Sequence, residues 1–524
     1  MFAKRALFAI GQAICHPKLW VVAYVALAVA VLWRTPESAG DLGTSDSIEY
    51  ATSAKHWVDG EGLTIITYGE VHPSRYPPGY AVLFLAPIYA LGASSLGAGI
   101  YSVVATGIGL AILLWILCAQ FLPSRQASCA AGITLGATLF IWQFDWVSRM
   151  IMSDIPGVFL FFVVWTAWLG RNKNPNLSYL IAGTATGIAV SLRLTHLAFC
   201  IPLLVGLFYV RPMSLFWRRA SLLLVPILLC MAWQMFYYHQ VFGSPLFTGY
   251  HYWLPPSAYS LSLESVGENL LGMLHIFSPE HKRTELWQWV IGPAMVACPL
   301  LAAWACRRWR PEHWVRTKEA RVGLGLVALP IVLFYACYPF QPVRFMLFLY
   351  IAWFALGAVW TLSLCDRFPK WLLLAIFGTL VFQVQDFFCT KRAMESSYRH
   401  TLMVQSDAQL PEDALLIGQF STISAQYFFV GDSARTFLPI YSKGSAHLVG
   451  AFGEERRPLA SNDISRNPER IEEAFDAGRR VFLMTELTHW RTDDVILDQL
   501  LDKYHVQPSF AIIRKPSVVE LTRK

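Results

Sequence analysis

The chain has 524 residues, of which 55% are hydrophobic and only 15% are charged, and its mean hydropathy is +0.43. This composition lies outside the range of soluble proteins and predicts a polytopic membrane protein. The net charge of +7 does not indicate a nucleic-acid partner, because most basic residues lie in short clusters between apolar segments, where they orient helices.

Apolar segments of about 20 residues, long enough to cross a bilayer, recur along the first 390 residues. They start near residues 17, 94, 128, 154, 178, 196, 220, 287, 322, 345 and 370, and they predict about eleven membrane-spanning helices. The first segment follows a basic N-terminus without a convincing cleavage site, so we expect an uncleaved signal anchor. Residues 391–524 instead hold 17 Lys/Arg and 18 Asp/Glu, a charge density typical of a soluble domain. We therefore predict a membrane domain over 1–390 and a soluble domain over 391–524.

The basic residues also predict the orientation of the chain. If the N-terminus is cytoplasmic, the inner segments hold 17 Lys/Arg in 59 residues and the outer segments hold 8 in 128. The inner segments are 1–18, 123–127, 171–177, 211–219, 307–321 and 366–370, and the outer segments are 34–93, 145–153, 192–196, 239–286 and 339–344. Because basic residues favour the cytoplasmic side, the two long outer loops and the soluble domain are expected to be extracytoplasmic.

The first outer loop contains SDSIEYATSAKHW, a segment with the spacing of a helix. Asp46, Glu49, Ser53 and His56 recur at intervals of three and four residues and share one face. We expect this helix to lie in the membrane interface, with its carboxylates pointing into a cavity between the outer loops. The alternative is a wetted amphipathic helix whose acids are ordinary solvated side chains.

A second outer acid, Asp154, precedes Pro156 at the start of an apolar segment, in SRMIMSDIPGVFLF. An acid ahead of proline suits a helix N-terminus, where it faces free amides and the positive end of the helix dipole. Asp154 is therefore either a capping residue or a second functional carboxylate.

Four arginines lie at the outer membrane edge, against the charge rule: Arg75, Arg149, Arg193 and Arg344. One such residue would be explained as a snorkelling anchor. Four guanidinium groups near the headgroup plane predict a lipid-phosphate site, because the guanidinium binds phosphate through paired hydrogen bonds.

Two stretches of the outer loops, HPSRYPPGY and FGSPLFTGY, are rich in turn-forming residues, and the first contains Arg75. In the first, a residue that precedes a proline is pushed out of the helical region, so Tyr76 and Pro77 are expected to be extended and to fix Arg75. The candidate substrate-binding residues in and beside these stretches are Tyr50, His72, Tyr76 and Tyr250.

Metal ligands are weakly indicated. His239, His251 and Tyr252 lie around the second stretch, but isolated histidines are more often satisfied polar residues than metal ligands. The ten cysteines run from Cys15 to Cys389 without metal-ligand spacing, so neither a disulfide framework nor a cysteine metal site is expected.

The soluble domain alternates apolar runs with helical segments, which predicts a small α/β layer fold. The runs are ALLIGQF, AQYFFVG, RTFLPIY, RRVFLMTE and SFAIIRK, and the helices are NPERIEEAFDAG and VILDQLLDKY. Asn467 and Pro468 open the first helix and Gly478 closes it. No glycine-rich nucleotide motif is present in the sequence, so the domain is interpreted either as a lid or stability domain or as a contributor to acceptor recognition.

Taken together, the outer motifs DSIEYATSAKHWVDGEG, RYPPGYAVLFLAPIYALG, MSDIPGVFLF, GIAVSLRLTH and FGSPLFTGY resemble the GT-C membrane glycosyltransferases. The branches they are most similar to include the protein O-mannosyltransferases (glycosyltransferase family 39) and the lipid A aminoarabinose transferase. The resemblance covers roughly residues 17 to 390, and it implies a mainly α-helical membrane bundle of GT-C type with about eleven spans.

The resemblance also implies an activity: transfer of a sugar from a polyprenyl-phosphate donor to an acceptor at the outer face, usually with inversion. Asp46 would be the general base, Asp154 a second active-site carboxylate, and Glu49 a third candidate catalytic acid at a position where relatives vary. Some relatives place a lysine directly before the paired prolines to hold the donor phosphate. This chain has Tyr76 there, so Arg75 is the nearest substitute.

The chemistry suits these residue types, because displacement at an anomeric carbon needs a base and positive charge on the departing phosphate. No cofactor is required by this interpretation, although paired acids in related enzymes bind Mg²⁺ or Mn²⁺. The expected partners are the bilayer, a polyprenyl-phosphate sugar donor and an acceptor that the sequence does not identify. The expected location is the plasma membrane, namely a bacterial inner membrane. The alternatives are a lipid-linked-sugar transporter or flippase, and a non-catalytic membrane protein.

Overall fold

A computed structural model describes the chain over residues 45–67, 70–139, 141, 147–148, 150–253, 261–273, 292–338, 343–364, 410–418, 436–439, 447–448, 457–458, 467–484, 502–511 and 516–524. Within these residues the chain divides into two compact units. The first unit holds the described residues of 100–234 and 259–389, and the second holds those of 45–99, 235–258 and 390–524. The second unit therefore combines the first outer loop and the beginning of the second, up to residue 258, with the predicted soluble domain.

The first unit is helical. Its helices are α3 (Ile100–Ala119), α4 (Ser124–Leu139), α5 (Asp154–Gly170), α6 (Pro175–Leu192), α7 (Ile201–Leu207), α8 (Met213–Phe242, which ends in the second unit), α10 (Val266–Gly272), α11 (Gly292–Trp309), α12 (Pro311–Arg316), α13 (Lys318–Ala336) and α14 (Leu347–Leu364). Short 3₁₀ segments, Leu194–Cys200 and Val343–Met346, lead into α7 and α14.

Four helical segments of the described residues are long and apolar enough to cross a membrane: Leu96–Ala119, Met213–Phe242, Lys318–Ala336 and Val343–Leu364. These helices make the chain an integral membrane protein, as its composition predicts. The number of spans stays a prediction, and the segments predicted to start at 17 and 370 lie outside the described residues.

The helices of the first unit differ in how deeply they are buried. In α14, 83% of the apolar window is buried, whereas in α8 the fraction is 28%, so α14 is enclosed by protein and α8 presents most of its surface outward. Helices α6 and α8 pack backbone to backbone at Gly183 and Gly187. A Cβ at Gly183 would lie 2.4 Å from the Leu223 carbonyl oxygen, so this contact requires glycine.

The second unit begins with α1 (Ser45–Val58), which confirms the predicted helix. A hairpin of β1 (Thr64–Thr67) and β2 (Glu70–Pro73) follows, with Ile65 opposite His72. Helix α2 (Pro78–Ala90) comes next, with a π-helical stretch at Ala81–Leu85, and a 3₁₀ turn (Leu96–Gly99) leads into α3. Because α2 has 13 residues and a bilayer needs about 20, the segment is a short helix rather than a complete span.

The C-terminal part of the second unit contains a five-stranded mixed sheet. Its strands are β3 (Leu415–Gly418), β4 (Thr436–Pro439), β7 (Val481–Met484), β8 (Tyr504–Ala511) and β9 (Pro516–Arg523), in the order β4-β3-β7-β9-β8. Strands β3, β4 and β7 are parallel, and β9 is antiparallel to both of its neighbours. Helix α15 (Asn467–Asp476) covers the sheet with Ile471 and Ala474, and Gly478 ends the connection with a φ of +73°. A second pair, β5 (His447–Leu448) and β6 (Arg457–Pro458), is antiparallel.

This sheet confirms the predicted α/β layer fold, with two differences in detail. Strand β9 was not predicted, and Tyr504 begins β8 instead of ending the helix predicted in VILDQLLDKY. The run AQYFFVG lies outside the described residues.

Candidate functional site

Glu49 is the most deeply buried acid of α1. Its side chain has no exposed surface, and its Oε1 accepts hydrogen bonds from the Ser74 hydroxyl at 3.0 Å and from the Arg75 backbone amide at 2.6 Å. The wetted-helix interpretation is therefore wrong for Glu49, because its carboxylate is bound by protein groups on the turn that follows the β1–β2 hairpin.

The Arg75 guanidinium joins Glu49 to Asp46. Its Nη2 donates to Oδ1 of Asp46 at 3.2 Å, and its Nε lies 2.9 Å from Oε2 of Glu49 as an ion pair. Two carboxylates thus face one guanidinium, and the group carries one formal negative charge. We call Asp46, Glu49 and Arg75 the acidic cluster. The side chains of Asp46 and Arg75 are each 23% exposed.

Burial perturbs the titration of this cluster. Desolvation raises the pKa of Glu49 above its ordinary value and Asp46 adds to the effect, although the charge of Arg75 opposes it. Burial alone would lower the pKa of Arg75, but Glu49, Tyr76 and Asp46 together hold it well above its usual value. Arg75 is therefore a permanent cation in this site.

The turn that carries Arg75 is fixed by hydrogen bonds and by proline. The Ser74 amide donates to the Leu63 carbonyl at 2.9 Å, which ties the end of the hairpin to its start. Pro77 has φ −57° and ψ 146°, so its backbone is extended as predicted, and α2 begins at Pro78. This local geometry directs the Arg75 side chain toward α1.

The second outer stretch packs directly on this turn. Helix α9 (Gly249–Trp253) brings Gly249 so close that a Cβ there would lie 2.5 Å from the Arg75 Cα. The Trp253 indole donates to the Pro73 carbonyl at 2.8 Å, and His72 Nδ1 lies 3.3 Å from the Tyr252 hydroxyl. The stretches HPSRYPPGY and FGSPLFTGY, about 180 residues apart, therefore meet at one place, and α9 also contacts β5.

Aromatic rings surround the acidic cluster. Tyr50 stacks on Tyr76 with 4.2 Å between ring centroids, and Tyr80 and Tyr250 make edge contacts with them. The Arg75 guanidinium lies 4.8 Å from the centroid of Tyr76. Burial raises the pKa of Tyr76 well above its usual value, so its hydroxyl stays protonated. These contacts place all four predicted substrate-binding residues of the outer loops, Tyr50, His72, Tyr76 and Tyr250, within the same unit as the acidic cluster.

In the first unit, Asp154 binds two arginines. Arg193 Nη2 donates to its Oδ1 at 3.0 Å, and Arg344 donates from Nε at 3.1 Å and from Nη2 at 3.0 Å. The side chain of Asp154 is 3% exposed, while Arg193 and Arg344 retain 17% and 19%. We call Asp154, Arg193 and Arg344 the arginine-rich cluster, which carries one formal positive charge.

A phenylalanine and a tyrosine support the two arginines. The Arg193 guanidinium lies 4.5 Å from the centroid of the Phe345 ring. The Tyr335 ring stacks on Phe345 with 5.2 Å between the ring centroids. The Tyr335 hydroxyl lies 3.0 Å from the Thr195 hydroxyl. Asp154 begins α5, and the Ser153 side chain makes no capping hydrogen bond. The ion pairs with Arg193 and Arg344 therefore explain why a carboxylate is buried at this position, which helix capping alone does not explain.

The remaining predicted residues have other surroundings. The Ser53 hydroxyl donates to the Tyr50 carbonyl at 3.1 Å, and His56 Nδ1 lies 3.0 Å from the Thr64 hydroxyl. His251 Nδ1 lies 2.8 Å from the Thr248 hydroxyl, and burial lowers the pKa of His251. Arg149 lies outside the described residues.

Potential metal ligands do not gather in the described part of the chain, which contains no group of three His, Cys, Asp or Glu side chains suited to a metal ion. The cysteines of the described ranges are free thiols. That no cofactor is required, with a divalent cation as the alternative, stays a prediction to be tested by experiment.

Sequence reasoning missed the residues that hold the charged groups in place: Ser74, Phe345, Tyr335 and Trp253. Ser74 stands beside Arg75 in HPSRYPPGY, and Phe345 directly follows Arg344. Ser74 and Phe345 could have been identified in the sequence as the polar or aromatic neighbours of a membrane-edge arginine.

Of the comparisons with known proteins, the one with solved structures gives the fold. No protein-family model and no curated protein matches the sequence. Among solved structures, the apo crystal structure of ArnT from Cupriavidus metallidurans superposes with a TM-score of 0.58 at 14% identity, covering 96% of this chain and 97% of ArnT. The chain has the ArnT fold.

A second ArnT structure from the same organism, bound to undecaprenyl phosphate, gives a TM-score of 0.55 at 13% identity with the same coverage. The fold of ArnT, a GT-C aminoarabinose transferase, confirms the fold class expected from the outer-loop motifs. At these identities the similarity establishes the ArnT fold, and the activity must be argued from the side chains.

Proposed function

We propose that this protein is a membrane glycosyltransferase that moves a sugar from a polyprenyl-phosphate donor to an acceptor hydroxyl at the outer face of a bacterial inner membrane. One observation carries the proposal: within the acidic cluster, Glu49 is fully buried and Asp46 keeps 23% of its side-chain exposure. Asp46 is thus the carboxylate of this cluster that a substrate can reach. The ArnT fold, and the binding of undecaprenyl phosphate by an ArnT of that fold, support the class of donor.

In the proposed reaction, Asp46 takes the proton of the acceptor hydroxyl. The acceptor oxygen forms a bond to the anomeric carbon of the donor sugar, and the bond from that carbon to the phosphate oxygen breaks. The electron pair of the broken bond goes to the polyprenyl phosphate, which leaves, and the sugar inverts its configuration. The sugar and the acceptor are not specified by this step.

Glu49 and Arg75 act on this step through Asp46. Because Glu49 is buried and bound to Ser74 and to the Arg75 amide, we assign it as a positioning residue that holds the arginine against Asp46. The Arg75 guanidinium, 3.2 Å from Oδ1 of Asp46, fixes the orientation of this carboxylate relative to the acceptor hydroxyl.

The arginine-rich cluster has the charge and the donors that suit a phosphate. Its three residues together carry one formal positive charge, and each arginine keeps part of its surface exposed. We propose that Arg193 and Arg344 stabilise the charge that develops on the phosphate, while Asp154 orients them. These roles use side chains alone, so no cofactor is obligatory and EDTA is expected to leave transfer unchanged.

The test is transfer by the purified full-length protein with labelled undecaprenyl-phosphate sugars, using an envelope extract as the acceptor source. We expect Asp46→Asn to lower the transfer rate by roughly 10²- to 10⁴-fold, the usual contribution of a general base. Asp59→Asn is the matched control, because Asp59 is an exposed acid just beyond the same helix whose carboxylate pairs with Lys55. It is expected to keep wild-type activity.

Two results would contradict the proposal. If a folded Asp46→Asn variant transfers sugar as fast as the wild type, Asp46 is not the base. If the wild type moves the labelled lipid between leaflets without releasing undecaprenyl phosphate, the protein is a flippase instead of a transferase.

A further inference from the structure

A second cationic site lies in the first unit, at the ends of α5 and α6 opposite to those that carry Asp154 and Arg193. A pocket of about 450 Å³ opens between the end of α5, the start of α6, α7, α8 and the start of α13. Its charged residues come from three segments that the sequence assigns to the inner side: Arg171 in 171–177, Arg219 in 211–219, and Lys318 with Glu319 in 307–321.

One arginine of this pocket is already neutralised. Arg171 Nη1 lies 2.9 Å from Glu319 Oε2 and donates to the Trp168 carbonyl at 2.8 Å, and its guanidinium stacks on the Trp168 ring at 3.4 Å. The Trp168 indole in turn donates to the Glu319 carbonyl at 2.9 Å. Arg171 and Glu319 therefore form a fixed wall of the pocket, and the carboxylate of Glu319 is engaged.

Arg219 and Lys318 have no such partner. Among the residues that the structure describes, neither makes an ion pair, and the buried Nε of Arg219 donates to no acceptor. The charged residues of the pocket therefore sum to a formal charge of about +2, from Arg219 and Lys318. Arg219 also has a buried donor without an acceptor. An unsatisfied donor of this kind favours an anionic ligand that accepts hydrogen bonds.

Apart from Asn172, the rest of the lining is apolar or aromatic. Tyr179 and Gly206 both line the pocket. A Cβ at Gly206 would lie 3.3 Å from both Trp168 and the Tyr179 hydroxyl, so the glycine keeps the space between these two side chains open. Rings beside cationic groups are typical of the headgroup region of a membrane.

An apolar stripe leads from the pocket along α13. Val322 and Leu326 line the pocket, and Leu329 and Leu333 continue the same helix face at spacings of three and four residues. Val322, Leu329 and Leu333 are 47%, 66% and 61% exposed. This stripe suits a hydrocarbon chain attached to the anion, and a free anion would make no use of it.

We infer that this pocket binds the phosphate of an anionic phospholipid, with Arg219 and Lys318 on the phosphate and one acyl chain along the α13 stripe. The inference is independent of the proposed transfer reaction, because none of these residues has a role in that reaction.

The experiment measures binding of phosphatidylglycerol and phosphatidylcholine to the full-length protein by native mass spectrometry from detergent. We expect the wild type to retain phosphatidylglycerol preferentially. The double variant Arg219→Gln/Lys318→Gln is expected to lower that retention about tenfold or more, as loss of charge-assisted hydrogen bonds predicts. The matched control, Arg218→Gln/Lys173→Gln, removes two neighbouring exposed cations that do not line the pocket and is expected to behave as the wild type.

A second measurement uses the wild type alone, in case the double variant does not fold. Phosphatidylglycerol is expected to raise the unfolding temperature more than phosphatidylcholine does, and 0.5 M salt is expected to reduce the difference. Equal binding of the two lipids, or equal loss in the control variant, would overturn the inference. Complete displacement of the lipid by millimolar inorganic phosphate would overturn the lipid assignment in favour of a free anion.

Discussion

The acidic cluster and the arginine-rich cluster use the same kinds of side chain in opposite proportions. In the first, Arg75 is shared by Asp46 and Glu49, and in the second, Asp154 is shared by Arg193 and Arg344. In each cluster the shared residue contacts both of its partners, and the proposed roles follow from whether acids or arginines are in excess. An acid surplus suits the uptake of a proton, and an arginine surplus suits a phosphate.

The comparison predicts unequal costs for losing an arginine. Arg75→Gln removes the cation that both acids share and leaves the fully buried Glu49 uncompensated, so we expect it to destabilise the protein by about 3 kcal/mol or more. Arg344→Gln leaves Asp154 still paired with Arg193, so its effect on stability is expected to be smaller. Thermal unfolding of the two purified variants provides the measurement.

A second substitution separates charge from packing in this prediction. Glu49→Gln added to Arg75→Gln removes the buried charge, and it should recover part of the lost unfolding temperature. If Arg344→Gln proves as destabilising as Arg75→Gln, the distinction between the two clusters is wrong.

A packing change tests how the acidic cluster is positioned. Gly249→Ala places a methyl group 2.5 Å from the Arg75 Cα and from the Ser74 carbonyl, so the turn must shift. We expect a loss of stability of about 1–3 kcal/mol, as is usual for overpacking, and a lower transfer rate. Unfolding temperature and transfer rate are measured together.

The control for that substitution is Gly267→Ala in α10. No atom lies within 4 Å of a Cβ built there, so the change is expected to be neutral or slightly stabilising. Normal stability and activity in Gly249→Ala would show that α9 does not hold the Arg75 turn.

The smallest expected effect concerns lipid binding at the arginine-rich cluster. Arg344→Gln removes two charge-assisted donors, and we expect the affinity for undecaprenyl phosphate to fall about tenfold. Asp46→Asn should leave that affinity unchanged. Titration of both variants with the lipid provides the measurement, and a larger loss in Asp46→Asn than in Arg344→Gln would reverse the assignment of the two clusters.

Much of the local structure could be predicted from the sequence. The spacing of Asp46, Glu49 and Ser53 predicted α1, and the paired prolines predicted the extended backbone at Pro77, because both signals depend on neighbouring residues. In the C-terminal sheet, Asn467, Pro468 and Gly478 marked the limits of the helical segment for the same reason.

The clusters themselves could be predicted only in part. Each membrane-edge arginine was identifiable as an exception to the charge rule, but its partner was not. Arg193 and Arg344 reach Asp154 across 39 and 190 residues, and such pairings depend on how helices pack. The burial of Glu49 likewise depends on Ser74, which lies 25 residues away beyond a hairpin.

Helix α6 links two features of the first unit. Tyr179 of the lipid pocket lies in its first turns, Arg193 of the arginine-rich cluster directly follows its last residue, and Gly183 and Gly187 lock its middle against α8. An α-helix of 18 residues is about 27 Å long, close to the thickness of a bilayer's hydrocarbon core. The two proposed anion sites are thereby held at a nearly constant separation, and we expect the α6–α8 pair to tilt as a whole in a thinner or thicker membrane.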